Sequence, residues 1–139
     1  MKIKILFQLG VIALFIFTFG NLRADDYYWV YGGNSYNWTD IDNWRTSSGG
    51  ATSTGLYPAP DDNVYFDGNS FPAGHNQVII DIDEAHCLDM DWTGCTNNPL
   101  ISGNNSYELH VFGSLTLDAS VTWSFGGDLV FKATSAGHT

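Results

Sequence analysis

Seven aromatic side chains crowd the stretch that follows Ala24: Tyr27, Tyr28, Trp29, Tyr31, Tyr36, Trp38 and Trp44. Exposed rings of this kind stack on the faces of sugars, which makes Trp29, Trp38 and Trp44 candidate glycan-binding residues. The same three rings would also serve as a hydrophobic plug, because large aromatics dominate the burial energetics of small cores. The plug is the preferred reading, since a stack of short strands needs its open end covered.

Acidic residues form the second candidate set. Asp61, Asp62 and Asp67, then Asp81, Asp83 and Glu84, then Asp89 and Asp91 would offer hard oxygen ligands to calcium, which takes six to eight of them. None follows the D-x-[DN]-x-[DN]-G loop or the nonapeptide calcium repeat. Asp before a turn is ordinary turn chemistry, so no cofactor is expected and calcium is the one cation the composition would suit. Paired carboxylates also perform glycoside hydrolysis, but spacing alone does not give their separation. A polysaccharide lyase would want a cationic base, for which only Arg45 and Lys132 remain after Ala24. No Ser sits in a G-x-S-x-G elbow, and His75, His86, His110 and His138 show no metal-ligand spacing, so they read as surface or turn histidines. Cys87 and Cys95 are the only cysteines. An even count in an exported chain favours one disulfide, with two reduced, buried thiols as the alternative should an intervening strand hold the sulfurs apart. Sequons at Asn37 and Asn104 would matter only in a eukaryotic host.

The elements that must position these residues are short strands. No window after Ala24 keeps apolar residues at helical spacing for three turns, and Trp, Tyr and Phe are too abundant for disorder. Alternating runs instead predict strands at Asn63 to Asp67, Gln77 to Asp83, Cys87 to Thr93, Glu108 to Phe112, Ser114 to Asp118, Val121 to Phe125 and Asp128 to Lys132. Leu109/Val111, Leu115/Leu117, Val121/Trp123 and Leu129/Phe131 form inward pairs, with Glu108, His110, Thr116, Thr122 and Ser124 outward. In Cys87 to Thr93 the alternation puts Leu88, Met90 and Trp92 on one face and Cys87, Asp89 and Asp91 on the other. Val64-Tyr-Phe-Asp67 echoes as Val78-Ile-Ile-Asp81, and Gly113-Ser-Leu-Thr-Leu117 as Gly127-Asp-Leu-Val-Phe131, both fourteen residues on. Such echoes fit successive faces or coils of a solenoid. The expected fold is all-β: a parallel β-solenoid with an aromatic N-terminal cap. An antiparallel β-sandwich is the rival, since short alternating strands with Gly-rich turns fit it too.

Residues 1–24 read as an address rather than as structure. Lys2 and Lys4 precede an almost wholly apolar run from Ile5 to Gly20, and a small residue, Ala24, ends the segment. A spanning helix needs about 20 apolar residues, so export with cleavage near Ala24 is expected, without stable membrane insertion afterwards. All fifteen carboxylates lie beyond that point with two cations, leaving about −13 on the ~115-residue remainder, a size that suits one domain. A field of that sign repels phosphate backbones and anionic lipid heads, which argues against nucleic-acid and membrane-surface partners.

Three segments carry a resemblance: Tyr28-Trp-Val-Tyr-Gly-Gly-Asn-Ser-Tyr-Asn-Trp-Thr-Asp-Ile-Asp-Asn-Trp44, Pro58-Ala-Pro-Asp-Asp-Asn-Val-Tyr-Phe-Asp67 and Cys87-Leu-Asp-Met-Asp-Trp-Thr-Gly94. They resemble the N-terminal region of large exported proteins of Bacteroidetes type, which use the type IX route and carry a sorting domain at the far C-terminus. The order of these motifs is also similar to the start of autotransporter passengers and other right-handed parallel β-helices. The resemblance implies a secreted or cell-surface location and supplies no catalytic residues. No sorting domain is present, and the strand pattern is still running at Lys132, so this chain is expected to be the N-terminal piece of a longer polypeptide. The layout is then a signal peptide at 1–24, an aromatic cap and loop at 25–60, and a solenoid-like stack at 61–139. The expected function is a non-enzymatic structural or adhesive surface module whose partners are carbohydrates or other surface proteins. The alternative is the leading part of a carbohydrate-active β-helix enzyme.

Overall fold

The computed structural model describes residues 24–133. The expected signal-peptide run and the final turn, with His138, lie outside the described residues. Eleven strands account for nearly all the regular structure: β1 (Asp26–Trp29), β2 (Trp44–Arg45), β3 (Asn63–Tyr65), β4 (Gln77–Ile80), β5 (Glu84–Cys87), β6 (Met90–Asp91), β7 (Leu100–Gly103), β8 (Glu108–Val111), β9 (Leu115–Thr116), β10 (Thr122–Trp123) and β11 (Asp128–Phe131). One 3-10 turn, Ile41–Asn43, is the only helical element among the described residues. The fold is all-β, as the lack of helical periodicity requires.

The strands form three sheets, ordered β2-β1-β3-β6-β9, β10-β7-β4 and β11-β8-β5. From β3 onward the chain visits the first, second and third sheet in turn, three times over. Every pairing in these rounds is parallel, with Val64 opposite Met90, Val78 opposite Ile101 and Glu84 opposite Glu108. Antiparallel pairing is confined, among the described residues, to β1 with β2 and a bridge from Arg45 to Ser53. The hairpin that a sandwich would require between β9 and β10 does not form: β9 pairs with β6 and β10 with β7, both in parallel.

One full round is much longer than the fourteen-residue echo, since Val64 meets Met90 and not Val78. The echoes therefore do not mark stacked partners. Val64 and Val78 lie on different sheets of the same round, as do the strands β9 and β11 that follow Gly113 and Gly127.

Corners between sheets are made by short side chains that capture backbone donors. Asp67, Asp91 and Asp118 each accept a hydrogen bond from the N–H two residues on, at Asn69, Thr93 and Ser120 (2.8, 2.8 and 2.9 Å), the usual Asx-turn device. At Gly113 the chain passes so close to the neighbouring round that a Cβ would lie 2.1 Å from an Asp89 side-chain oxygen. Any larger residue there would force Asp89 to move.

Inward residues of the three sheets meet in one apolar core. Tyr27, Val64 and Met90 line up across the first sheet, Val78 with Ile101 across the second, and Ala85 with Leu109 and Cys87 with Val111 across the third. All are buried. An aromatic column runs beside them, with Phe66 stacked on Trp92 at 3.7 Å. Phe66 is also tilted against Trp29 at 6.0 Å, within the range at which aromatic pairs attract.

Three expectations about faces change here. The run from Cys87 to Thr93 is not one strand: β5 ends at Cys87, the chain turns at Leu88 and Asp89, and β6 begins at Met90, so Cys87, Met90 and Trp92 all point inward. His110 is buried at 6 % exposure, although it sits on the outward face of a central strand. Leu117 and Phe131 are exposed at 49 % and 56 %, because strands flank them less completely than they flank Leu109 and Val111.

Candidate functional site

Trp29, Trp38 and Trp44 have no exposed surface. Their rings meet edge to face, Trp44 against Trp29 at 5.0 Å and against Trp38 at 4.8 Å, so none offers a face to a sugar. The chain holds them by threading back through the sheets. Trp38 donates its backbone N–H to Ile79 O and Ile79 donates to Tyr36 O, which ties this segment to the second sheet. Thr39 binds Asp81 through both its N–H and its hydroxyl (3.0 and 2.6 Å). Buried Asn43 accepts from Gly32 N and donates to the carbonyls of Ser35 and Asn37, spending both ends of its amide on three backbone groups. The Trp44 indole N–H donates to Trp38 O at 2.7 Å.

Partly exposed rings lie elsewhere in the same segment. Tyr31 stacks on Tyr36 at 4.9 Å and on His75 at 4.2 Å, while the Tyr36 hydroxyl is hydrogen-bonded to His75 Nδ1. Burial and the neighbouring Tyr36 raise the pKa of Tyr31 above the usual phenol value, because both disfavour the phenolate. Tyr28 and Tyr65 stack at 4.8 Å on the outer face of the first sheet.

Four of the acidic groups singled out from sequence, Asp62, Asp67, Asp81 and Asp91, are spent on backbone and side-chain partners. Asp81 holds Thr39, Asp67 and Asp91 close their turns, and Asp62 accepts from the N–H groups of Ala59 and Asp25 (2.8 and 3.3 Å). Burial raises the pKa of Asp62 despite those two donors, the direction expected when a carboxylate loses water. A cleft of about 310 Å³ opens beside Ala24, Asp25, Asp26 and Tyr27, with Thr46 and Thr54 across it.

The expected disulfide is absent. Cys87 and Cys95 are both free thiols. The corner after β5 turns Cys87 into the core, its sulfur 4.0 Å from His110 O, while Cys95 follows β6 and its sulfur lies 3.5 Å from Ser120 Oγ. Burial raises both thiol pKa values, so neither is a ready nucleophile.

Side chains with coordination chemistry converge on the outer face of the third sheet. Strand β5 carries Glu84-Ala-His86 and β8 carries Glu108-Leu-His110, and parallel pairing sets Glu84 against Glu108 and His86 against His110. Strand alternation puts all four on one face. His110 Nε2 lies 2.5 Å from Glu108 Oε2, and His86 Nε2 lies 3.4 Å from Glu84 Oε2. One ligand atom from each of Glu84, His86 and His110 falls within 4.8 Å of the others. Among the described residues this is the only trio of His, Cys or carboxylate side chains that converges in this way. Reading the histidines as unrelated surface groups missed it, because β5 lacks a strong strand pattern and its partner β8 lies a full round further along the chain. The Glu-x-His of Glu84 to His86, repeated at Glu108 to His110, was the signal available in the sequence.

Comparison with models of protein families, with curated proteins and with solved structures finds no match to this chain.

Proposed function

We propose that this chain is a non-enzymatic extracellular or cell-surface module of right-handed parallel β-solenoid type, exported on residues 1–24 and plugged at its N-terminal end by Trp29, Trp38 and Trp44. The observation that carries this reading is the fixed rotation of strands through three sheets, round after round, with parallel register throughout. Such a stack makes a stiff rod whose corners and outer faces are free to vary, which suits a structural or adhesive element. Two further features support it. About −13 charges on the part beyond Ala24 favour solubility outside the cell and disfavour polyanionic partners. The stacked Tyr31, Tyr36 and His75 give an adhesive module a partly exposed ring surface, of the kind that contacts glycans.

Protease treatment of intact producing cells, followed by mass spectrometry, tests the proposal. The expected result is loss of the protein relative to untreated cells, with a mature N-terminus near Asp25. A protected chain that retains Met1 in a membrane fraction would sink it. The adhesive arm is checked on a glycan array, where Tyr31→Ala should abolish whatever binding the wild type shows.

A further inference from the structure

We infer that the outer face of the third sheet is a binding site for a divalent transition metal of the zinc class, held between β5 and β8 by Glu84, His86 and His110 with Glu108 beside them. The arrangement is a consequence of register. Neighbouring strands lie about 4.8 Å apart, so identical positions on β5 and β8 bring two imidazoles and two carboxylates into one patch. The rings of His86 and His110 are 5.1 Å apart and nearly perpendicular. Phe112 flanks both imidazoles at 6.0 and 6.4 Å and gives the site an apolar wall.

An ordinary surface Glu–His pair would need only one of these motifs. Here two stand in register, and His110 is buried with its nitrogen already held by Glu108. That resembles a metal ligand whose orientation is fixed by a neighbouring carboxylate. A zinc ion wants ligand atoms about 2.0–2.2 Å away. Glu84 and His86 need only side-chain rotation to close the 4.8 Å spread, since Glu84 is 59 % and His86 27 % exposed. Imidazole favours zinc, copper or nickel, whereas calcium and magnesium prefer sites built wholly of oxygen. The site does not propagate to the next round, because Val130 stands opposite His110 on β11. This patch therefore takes one ion, which would tie two consecutive rounds together. Its binding is independent of where the protein is exported or what it adheres to.

The test is calorimetric titration of the chelator-stripped chain, prepared without a polyhistidine tag, with ZnCl2. One equivalent should bind with a dissociation constant below about 10 µM. His86→Ala and His110→Ala should each weaken it at least tenfold, and His75→Ala should leave it unchanged. Zn2+ should raise the melting temperature of wild type but not of the first two variants. Co2+ should give the visible absorption band of a four-coordinate site. Should His110→Ala fail to fold, the exposed Glu84→Gln supplies the same comparison, again with at least tenfold weakening. Absence of saturable binding, equal weakening by His75→Ala, or displacement of the ion by millimolar Ca2+ would each overturn the proposal.

Discussion

At the N-terminal end of the molecule Trp29, Trp38 and Trp44 are wholly buried, whereas in the round made by β9, β10 and β11 the inward residues Trp123 and Leu129 are only partly covered and Phe131 keeps 56 % exposure. The same strand alternation operates in both places. What differs is the supply of neighbours. Leu109 and Val111 on β8 have β5 on one side and β11 on the other, and both are fully buried. Leu129 and Phe131 have β8 alone among the described strands. At the opposite end β1 would face the same shortage, but the chain doubles back: β2 pairs with it antiparallel, and the segment from Tyr31 to Asn43 is pinned over the core by Asn43, Thr39 and Trp38. Burial in a stack of this kind is set by flanking chain, and side-chain hydrogen bonds to backbone can provide that chain where no regular strand does.

The largest test of this contrast is Trp38→Ala. Emptying a fully buried indole site should destabilise the fold by about 3–5 kcal/mol in urea denaturation. A loss below about 1 kcal/mol would mean that the rings are not holding that end together. Next comes Asn43→Ala, which removes a partner from Gly32 N and from the carbonyls of Ser35 and Asn37, of which Asn37 O keeps the N–H of Asp40. Orphaning such groups should cost about 1–3 kcal/mol. Gly32 marks how closely the segment approaches, since a Cβ there would lie 2.3 Å from Asp42 O. Asn43→Asp should be at least as damaging, because a carboxylate cannot donate to Ser35 O and Asn37 O. At the other end Phe131→Ser should change stability by no more than about 0.5 kcal/mol, the ordinary range for exposed positions. A cost approaching that of Trp38→Ala would show that Phe131 is covered in solution by something other than the described residues.

Legibility in the sequence followed the same divide. Strands with clean alternation and turn residues on both sides, such as Asn63–Tyr65, Gln77–Ile80 and Glu108–Val111, fall inside the runs that the pattern marks. Strands β5 and β7 do not announce themselves. Glu84–Cys87 mixes charge with small and polar groups, and Leu100–Gly103 has two apolar residues in succession before Ser and Gly. Missing β5 hid both the corner that separates Cys87 from Cys95 and the stacking of Glu84-Ala-His86 on Glu108-Leu-His110. The tryptophans near the N-terminal end were legible as types but not as a surface or a core, because what buries them depends on Asn43 reaching the backbone of Gly32, Ser35 and Asn37. Composition carries no trace of such contacts.

Two aspartates give the finest test, since they lie at opposite ends and their pKa values are shifted in opposite directions. Asp62, which caps the backbone beside β1, has its pKa raised chiefly by burial. Its folded form holds a proton more tightly than the unfolded chain does, so its stabilising contribution is full below the ordinary carboxylate range and is lost as pH rises through the folded value. Asp118, after β9, has its pKa lowered chiefly by the Ser120 backbone N–H and then by the Ser120 hydroxyl, at 2.9 and 2.8 Å. Its contribution is present above the ordinary range and is lost as pH falls through the folded value. The pH dependence of the rest of the fold is common to wild type and variant, so the informative quantity is wild type minus variant, measured by urea midpoints at several pH values from about 3 to 7. The advantage of wild type over Asp62→Ala should shrink as pH rises from about 4 toward 7. The advantage over Asp118→Ala should hold through that interval and shrink only as pH falls below it. Two profiles of the same sign would mean that burial at the N-terminal end does not reach Asp62, and the contrast between the two ends would then stop short of the groups that border the three tryptophans.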